Sequence, residues 1–270
     1  MSALTLSLRT TMAQTVDMSP LTPDLLNGKS AHEIAAMGLV TGNRKLKVAD
    51  LFDIAGSDSA NMLIRNASGK LNRIGQGMTG GSITVEGNAG AYLGIGMRNG
   101  RIVVTGNTGA WTGSGMAGGD IQVKGSAGDF LGAAIPGDKQ GMLGGTIVVE
   151  GNAGDRAGDH MRRGLLLIKG DAGDYCGSRM LAGTLAVGGK TGVGVAFGLK
   201  RGTLLFAHVP ELSATFNDCG SHSISFLNLL HRQFRAAGGA AAEFAHKSDR
   251  VRRFMGDLAN DGKGEILVYI

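Results

Sequence analysis

A unit of 19 residues repeats through the middle of this chain of 270 residues. The dipeptide Gly-Met marks the unit at Gly77-Met78, Gly96-Met97, Gly115-Met116 and Gly141-Met142. The phase continues, with one member replaced, at His160-Met161, Arg179-Met180 and Gly198-Leu199. An insertion of seven residues around 135–139 is the one departure from the step. A fixed period of this size is typical of stacked units that cannot bury their apolar faces alone.

A short strand is predicted after each of these corners. Within each strand, apolar residues such as Ile83 and Val85 alternate with residues that are mostly polar or small, a period typical of a strand with one buried face. An earlier copy at Met62 and Ile64 brings the series to at least eight turns. The seven predicted strands are Ser82–Glu86, Arg101–Thr105, Asp120–Lys124, Thr146–Glu150, Leu165–Lys169, Thr184–Gly188 and Thr203–Ala207.

The identical phase of the repeats predicts that each residue lies over its equivalent in the next turn, in parallel strands about 4.8 Å apart. We therefore predict an all-β fold, a right-handed parallel β-helix (a single-stranded solenoid) of about 19 residues per turn, its hand following the usual crossover rule. Glycine supplies 47 residues and suits the corners, where the chain reverses within a few residues.

Both flanks are predicted to be caps of short helices and strands over the open ends of the solenoid. The expected division is an N-terminal cap at 1–60, the solenoid at 61–207 and a helical C-terminal cap with a final strand at 208–270. In the first cap, alternating leucines predict a strand at 4–8. Ser30 and Glu33 form a capping box that opens a helix reaching Met37.

In the C-terminal cap, Ser221 or Ser223 is predicted to open a helix. The apolar residues of this helix are Ile224, Leu227, Leu230 and Phe234. A second helix is predicted over 241–258, and a final strand over Ile266–Ile270.

Composition excludes several classes of protein. The net charge of +5 permits an acidic partner, but the basic residues are scattered and no nucleic-acid motif is present. Cys176 and Cys219 lack CxxC spacing, so neither a disulfide framework nor a metal site is expected. No apolar run is long enough for a membrane span and no signal-peptide pattern is visible, so a cytoplasmic location is expected.

No catalytic, cofactor or metal site is predicted in this chain. The segments 75–80 and 113–118 match GxGxxG, but a dinucleotide site needs a helix next, and here a strand is predicted. His32 and Glu33 begin like a zinc-protease helix without its second histidine. Cys176 is expected to be a small buried residue.

Stacking makes columns of equivalent residues readable. Lys124, Glu150 and Lys169 alternate in charge and are predicted to support the register. A second column, of Asp129, Asp155 and Asp174, binds either a cation or, the favoured interpretation, backbone N–H groups of tight turns.

Aromatic residues form a third column at Tyr92, Trp111 and Phe130, followed by Arg156 and Tyr175. This column is either an internal ladder or an outward surface for a partner. Basic residues form an edge that is either simply solvated or a track for a polyanionic ligand or an acidic subunit. The residues of this edge are Arg98, Arg162, Arg163, Lys200 and Arg201.

The repeat with its GxGxxG corners resembles the β-helix domain at the C-terminus of glutamate synthase. Over most of its length the chain is more similar to the C subunit of formylmethanofuran dehydrogenase, and within that family to the bacterial version found in formyltransferase/hydrolase complexes of methylotrophs. The ending 256–267, Gly-Asp-Leu-Ala-Asn-Asp-Gly-Lys-Gly-Glu-Ile-Leu, resembles the ending of that family.

The resemblance implies a non-catalytic assembly subunit in a hetero-oligomer. Such a complex moves a formyl group from tetrahydromethanopterin to a methanofuran-type carrier and releases formate, in the one-carbon metabolism of formaldehyde oxidation. Its other chains are of formyltransferase, amidohydrolase and molybdopterin-subunit-like types. Two alternatives are the C subunit of a molybdenum or tungsten formylmethanofuran dehydrogenase and a glutamate synthase-like domain.

Overall fold

The described part of the chain is mostly β, with one sheet of 13 strands and another of four. The computed structural model describes residues 2–10, 12–245 and 248–270. The strands before the repeat are β1 Ala3–Leu8, β2 Val16–Asp17, β3 Gly38–Thr41, β4 Arg44–Lys47, β5 Phe52–Ala55, β6 Asp58–Ala67 and β7 Leu71–Asn72. Those of the repeat and the C-terminal part are β8 Ser82–Gly87, β9 Arg101–Val104, β10 Asp120–Val123, β11 Thr146–Val149, β12 Leu165–Ile168, β13 Thr184–Val187, β14 Thr203–Phe206, β15 Asn217–Ser223, β16 Arg250–Gly256 and β17 Gly264–Tyr269.

The helices are short. They are α1 Pro23–Leu26, α2 Ala31–Ala36, α3 Val48–Leu51, α4 Phe226–Ala237 and α5 Gly239–Ala242, with a 3-10 turn at Leu258–Asn260. Within the described ranges, no helix combines the length and the apolar character that crossing a membrane requires.

Strands β8 to β14 pair in parallel, residue for residue, in the order predicted from the repeat. Ile83 lies beside Ile102, and Ile102 beside Ile121, so these steps join residues 19 positions apart. The step from β10 to β11 joins Ile121 to Ile147, 26 positions apart, because the insertion lies between them. All seven predicted strands are confirmed within a residue at their C-terminal ends. The earlier copy is confirmed too, because Met62 of β6 pairs with Ile83. We call the segment from one of these parallel strands to the next a coil.

Corners between the strands are also bonded from coil to coil. The Gly77 N–H donates to the Ile95 carbonyl at 2.9 Å, and an isolated parallel bridge joins Thr108 to Ala127. The Gly94 backbone has φ +64°, and a Cβ there would lie 2.5 Å from the Cδ1 of Ile121. This position therefore needs glycine for both its conformation and the close approach of the core.

The core of the coils consists of the predicted inward residues. Val123, for example, is 0% exposed and lies between Val104 and Val149 in register. A stack of methionines, one from each corner, completes this core and is wholly buried. Its members are Met78, Met97, Met116, Met142, Met161 and Met180.

The outer face of the later strands differs from the prediction. We expected the interleaved residues to be mostly polar or small, yet Val148, Leu167 and Leu205 are apolar and buried. They form a second core with Leu230 and Phe234 of helix α4, which lies across β11 to β14. The prediction was wrong here because the sheet has two covered faces, and both then become apolar.

The predicted N-terminal strand and capped helix are confirmed. Strand β1 carries the alternating leucines and pairs in parallel with β6 and antiparallel with β5. The capping box forms as expected: the Ser30 N–H donates to Glu33 Oε2 at 2.7 Å, and the Glu33 N–H donates to Ser30 Oγ at 3.3 Å. Helix α2 then runs to Ala36, with Met37 as its C-cap.

The C-terminal predictions are partly wrong. Ser221 and Ser223 lie in β15, and α4 has Ser225 as its N-cap. The predicted second helix is replaced by the single turn of α5 and by β16, whose opposite faces place Phe254 in the core of the coils and Val251 in the second core. His246 and Lys247, within the predicted helix, lie outside the described residues.

The final strand is confirmed as β17, which pairs in parallel with β14 at the end of the stack. The turn before β17 also covers the last corner. Asp257 Oδ2 accepts the Gly198 N–H at 3.1 Å, and the Lys263 N–H donates to the Lys200 carbonyl at 2.7 Å.

Candidate interaction surfaces

The aromatic column, Tyr92, Trp111 and Phe130, lies at the surface and is half-buried. The Tyr92 and Trp111 rings stack with centroids 5.3 Å apart and planes 8° from parallel, and Trp111 and Phe130 stack at 4.7 Å and 3°. None of the three belongs to either hydrophobic core. Of the two interpretations that the sequence left open, the structure therefore favours the outward surface.

Guanidinium groups occupy both ends of this column. The Arg73 Cζ lies 5.5 Å from the Tyr92 ring centroid, and the Arg156 Cζ lies 4.6 Å from that of Tyr175. The Tyr175 ring meets Phe197 edge-on at 6.4 Å. Together with Val193, at 51% exposure, Phe197 at 55% and Tyr175 at 36% extend the column into an exposed apolar surface.

The acidic column, Asp129, Asp155 and Asp174, runs one residue before the aromatic column. The Asp155 N–H donates to Asp129 Oδ1 at 2.9 Å, and the Asp174 N–H donates to Asp155 Oδ1 at the same distance. The carboxylates therefore accept backbone N–H groups, as the favoured interpretation predicted, but these bonds join adjacent coils and do not close a single tight turn. Among the described residues, no group of three His, Cys, Asp or Glu side chains is placed to hold a metal ion.

The predicted alternating charge column forms only in part. Lys124 and Glu150 make an ion pair on adjacent coils. Lys169 Nζ instead lies 2.6 Å from Glu243 Oε2, beyond helix α5, so its predicted role in the column is corrected. A hydrogen bond from the Lys169 ammonium to the Glu243 carboxylate raises the pKa of Lys169.

A cavity of about 240 Å³ opens beside this ion pair, between the outer face of the sheet and helix α4. Phe206, Phe234 and Phe244 form much of its lining. Tyr269 also lines it, and burial raises the pKa of the Tyr269 hydroxyl to about 12. The cavity was not predicted, because its two walls come from segments far apart in sequence.

The basic edge, Arg98, Arg162, Arg163, Lys200 and Arg201, is exposed along its whole length. Its members occupy equivalent corner positions: the N–H groups of Arg98, Arg162 and Lys200 bond to the carbonyls of the stacked methionines at 2.8, 2.9 and 2.9 Å.

The edge is not continuous. Ala117 and Leu143 occupy the coils between Arg98 and Arg162, so the edge comprises one arginine and two separate pairs. Within the described ranges, none of its side chains forms a salt bridge.

A polar cluster that sequence reasoning missed lies where His160 and Arg179 replace the corner glycine. Asp159 is 3% exposed and accepts hydrogen bonds from Ser178 Oγ at 3.0 Å and Arg179 Nε at 2.9 Å. The hydrogen bond to Asp159 raises the pKa of Arg179. His160 Nδ1 lies 3.4 Å from the same carboxylate. The sequence sign that could have revealed this cluster is the replacement of the corner glycine by His160 and Arg179 in two consecutive repeats.

The remaining candidates agree with their structural interpretations. Cys176 is wholly buried, and burial raises the pKa of its thiol to about 12, which makes it a poor nucleophile. Both GxGxxG segments are followed by strands, β8 and β10. Cys219, which the sequence could not place, lies half-buried in β15.

These features define a β-rich repeat protein whose residues of interest lie in exposed columns along the coils. Comparison with known proteins then identifies its family. No protein-family model matches the chain. The chain is 47% identical over 264 residues to the C subunit of the formyltransferase/hydrolase complex Fhc of Methylorubrum extorquens, covering 98% of each chain. It therefore belongs to the family of that protein.

Other relatives agree with this assignment. A chain in the X-ray crystal structure of the formyltransferase/hydrolase complex FhcABCD from Methylorubrum extorquens, in complex with methylofuran, matches with a TM-score of 0.91 and 38% identity, over 98% of this chain and 99% of that one. The C subunit of a tungsten-containing formylmethanofuran dehydrogenase from Methanococcus maripaludis is 37% identical over 95 residues, which cover 34% of this chain and 35% of that relative.

Proposed function

We propose that this chain is the C subunit of a formyltransferase/hydrolase complex and that it acts there as a non-catalytic assembly subunit. The observation that carries this proposal is the end-to-end match, in sequence and in fold, to the corresponding protein of Methylorubrum extorquens. The archaeal dehydrogenase relatives match over about a third of the chain or less, which favours the bacterial complex over the molybdenum or tungsten alternative.

In this proposal, the complex converts formyl-tetrahydromethanopterin to formate through a methanofuran-type carrier. The formyltransferase and amidohydrolase-type subunits perform the chemistry, alongside a chain resembling the molybdopterin subunit. The features described above support an assembly role for this chain, because its ordered side-chain columns lie at the surface along stacked, hydrogen-bonded coils.

We also propose that the coils wind as a right-handed parallel β-helix, with caps at 1–60 and 208–270 around a solenoid at 61–207. Supporting this, both the strands and the corners bond from coil to coil, and one row of methionines fills the centre. Bonding of this kind along two or more sides of each coil gives a stiff rod.

A second role is proposed for the basic edge as a guide for an anionic carrier. Supporting this, the complex of the relative was crystallised with methylofuran, and the five cations have no salt bridge among the described residues. In the assembled complex, reversing Arg162 and Arg163 to glutamate should weaken retention of methylofuran in a salt-dependent way. Reversing Lys45 and Lys47, on strand β4, is a charge-matched control. Unchanged retention at low salt would exclude the edge.

The assembly role is tested by removing the chain. The purified chain should show neither formyltransferase nor hydrolase activity, and cells that lack its gene should not form the complete complex. Formation of the complete, active complex by the other subunits in its absence would refute the proposal.

A further inference from the structure

The exposed apolar surface that extends the aromatic column lies beside three carboxylates that form no salt bridge among the described residues. Phe197, Val193 and Tyr175 are the exposed apolar residues of two adjacent coils, next to the stacked rings of the aromatic column. The acidic column runs alongside at the neighbouring position. Within the described part of the chain, none of its three carboxylates pairs with a lysine or arginine side chain.

The fold does not need these charges. In the first coil the same position is Asn72, whose Oδ1 accepts the Ala91 N–H at 3.0 Å. In the acidic column the Asp129 and Asp155 Oδ1 atoms accept the equivalent N–H groups at 2.9 Å. A neutral amide therefore makes the same bond between coils, while like charges at equivalent positions of adjacent coils repel and destabilise the stack.

The aromatic edges and carboxylates of this surface together suit a lysine or arginine side chain. Stacking covers the faces of the aromatic rings and leaves apolar edges toward solvent, which the aliphatic stems of lysine and arginine can cover. A cationic head group on such a stem would reach the carboxylates, which lie one residue along the chain. The column already holds two such cations of this chain, Arg73 and Arg156.

We propose that the aromatic and acidic columns together dock a lysine- or arginine-bearing segment of a partner subunit. The proposal rests on the assembly function proposed above and names the surface and the partner chemistry through which it acts. The three negative charges of the acidic column should therefore lower the stability of the isolated chain but increase its affinity for the complex.

The test is a competition inside the complex. The other subunits of the complex from the source organism are co-expressed with two copies of this chain, one wild type and one variant, carrying tags of different mass. The variant D129N/D155N/D174N, called the column variant, keeps a side-chain oxygen that can accept the backbone N–H at each position and removes three charges. D120N/D138N/E211Q removes three charges elsewhere and is the matched control. The ratio of the two copies in complexes purified at low salt is read by mass spectrometry.

In the purified complexes, the ratio of the column variant to the wild-type chain should be about one to ten. For the control variant this ratio should be near one. The Phe197→Ser variant should also be under-represented in the complexes relative to wild type. Alone, the column variant should melt about 2 °C above the wild-type chain.

Equal incorporation of the column variant and the control would overturn the proposal, as would a column variant that melts below wild type. Failure of the wild-type chain itself to enter any complex would instead refute the assembly function.

Discussion

Replacing Val123 by aspartate tests the strand phase on which the whole stack depends. Val123 is 0% exposed, between the inward valines of the neighbouring coils. Loss of a buried valine side chain costs about 1.5–3 kcal/mol. A lone buried carboxyl has a pKa raised by about 3 or more units. Keeping it neutral at pH 7 therefore costs about a further 4 kcal/mol. The sum, about 6 kcal/mol, is about 40% or more of the stability of a typical domain, about 5–15 kcal/mol.

The matched control is Gln122→Asp, one residue away on the half-buried outer face. It should cost about 0.5 kcal/mol, as surface changes do. Urea unfolding of the purified chain, followed by circular dichroism, measures both. Most of the cost at position 123 comes from protonating the buried carboxyl, which becomes easier as the pH falls. The free energy of unfolding of the Val123→Asp variant should therefore rise by about 1.4 kcal/mol for each unit that the pH is lowered from 7 to 5. Equal losses at both positions would show that the phase is wrong.

Three further predictions concern single side chains. In the native chain Cys219 should react with iodoacetamide well before Cys176, whose thiol is buried with a pKa of about 12; equal rates would contradict its placement. Arg179→Ala should cost about 1–3 kcal/mol in urea unfolding, because it leaves the Asp159 carboxylate buried without its main partner, whereas Arg179→Lys should cost less. Burial acts to raise the pKa of Asp257, but hydrogen bonds from Thr215, Gly198, Asn260 and Ala259 outweigh it and lower that pKa. Asp257 should therefore stabilise the chain above about pH 4, the unfolded value, and lose this contribution as the pH falls through the folded pKa. Asp257→Asn should flatten that acid-side loss, and an unchanged acid profile would contradict it.

The repeat was predictable because two periods coincide in it. Alternation fixed which of Ile102 and Val103 points inward, and the 19-residue step fixed which residues stack. Every later deduction about columns followed from those two facts. The stacking of the Tyr92 and Trp111 rings on consecutive coils is one such deduction.

The C-terminal part was not predictable in the same way, because its order comes from distant contacts. Helix α4 is placed by apolar residues on the outer face of β11 to β14, and Glu243 meets Lys169 across 74 residues. The apolar residues Val148, Leu167 and Leu205 were a readable sign that something covers this face. Segment 250–256 was assigned to a helix because Val251 and Phe254 have a helical spacing of three residues. In β16 the same spacing places them on opposite faces, each covered by a different core, which the sequence alone does not show.

The most direct test of the account is the composition of the complex that this chain enters. A tagged copy, expressed in the source organism and purified gently, should appear in native mass spectra only as part of a hetero-oligomer with formyltransferase and amidohydrolase-type subunits. Recovery of the chain by itself, or with a redox-metal subunit in place of those partners, would contradict the account.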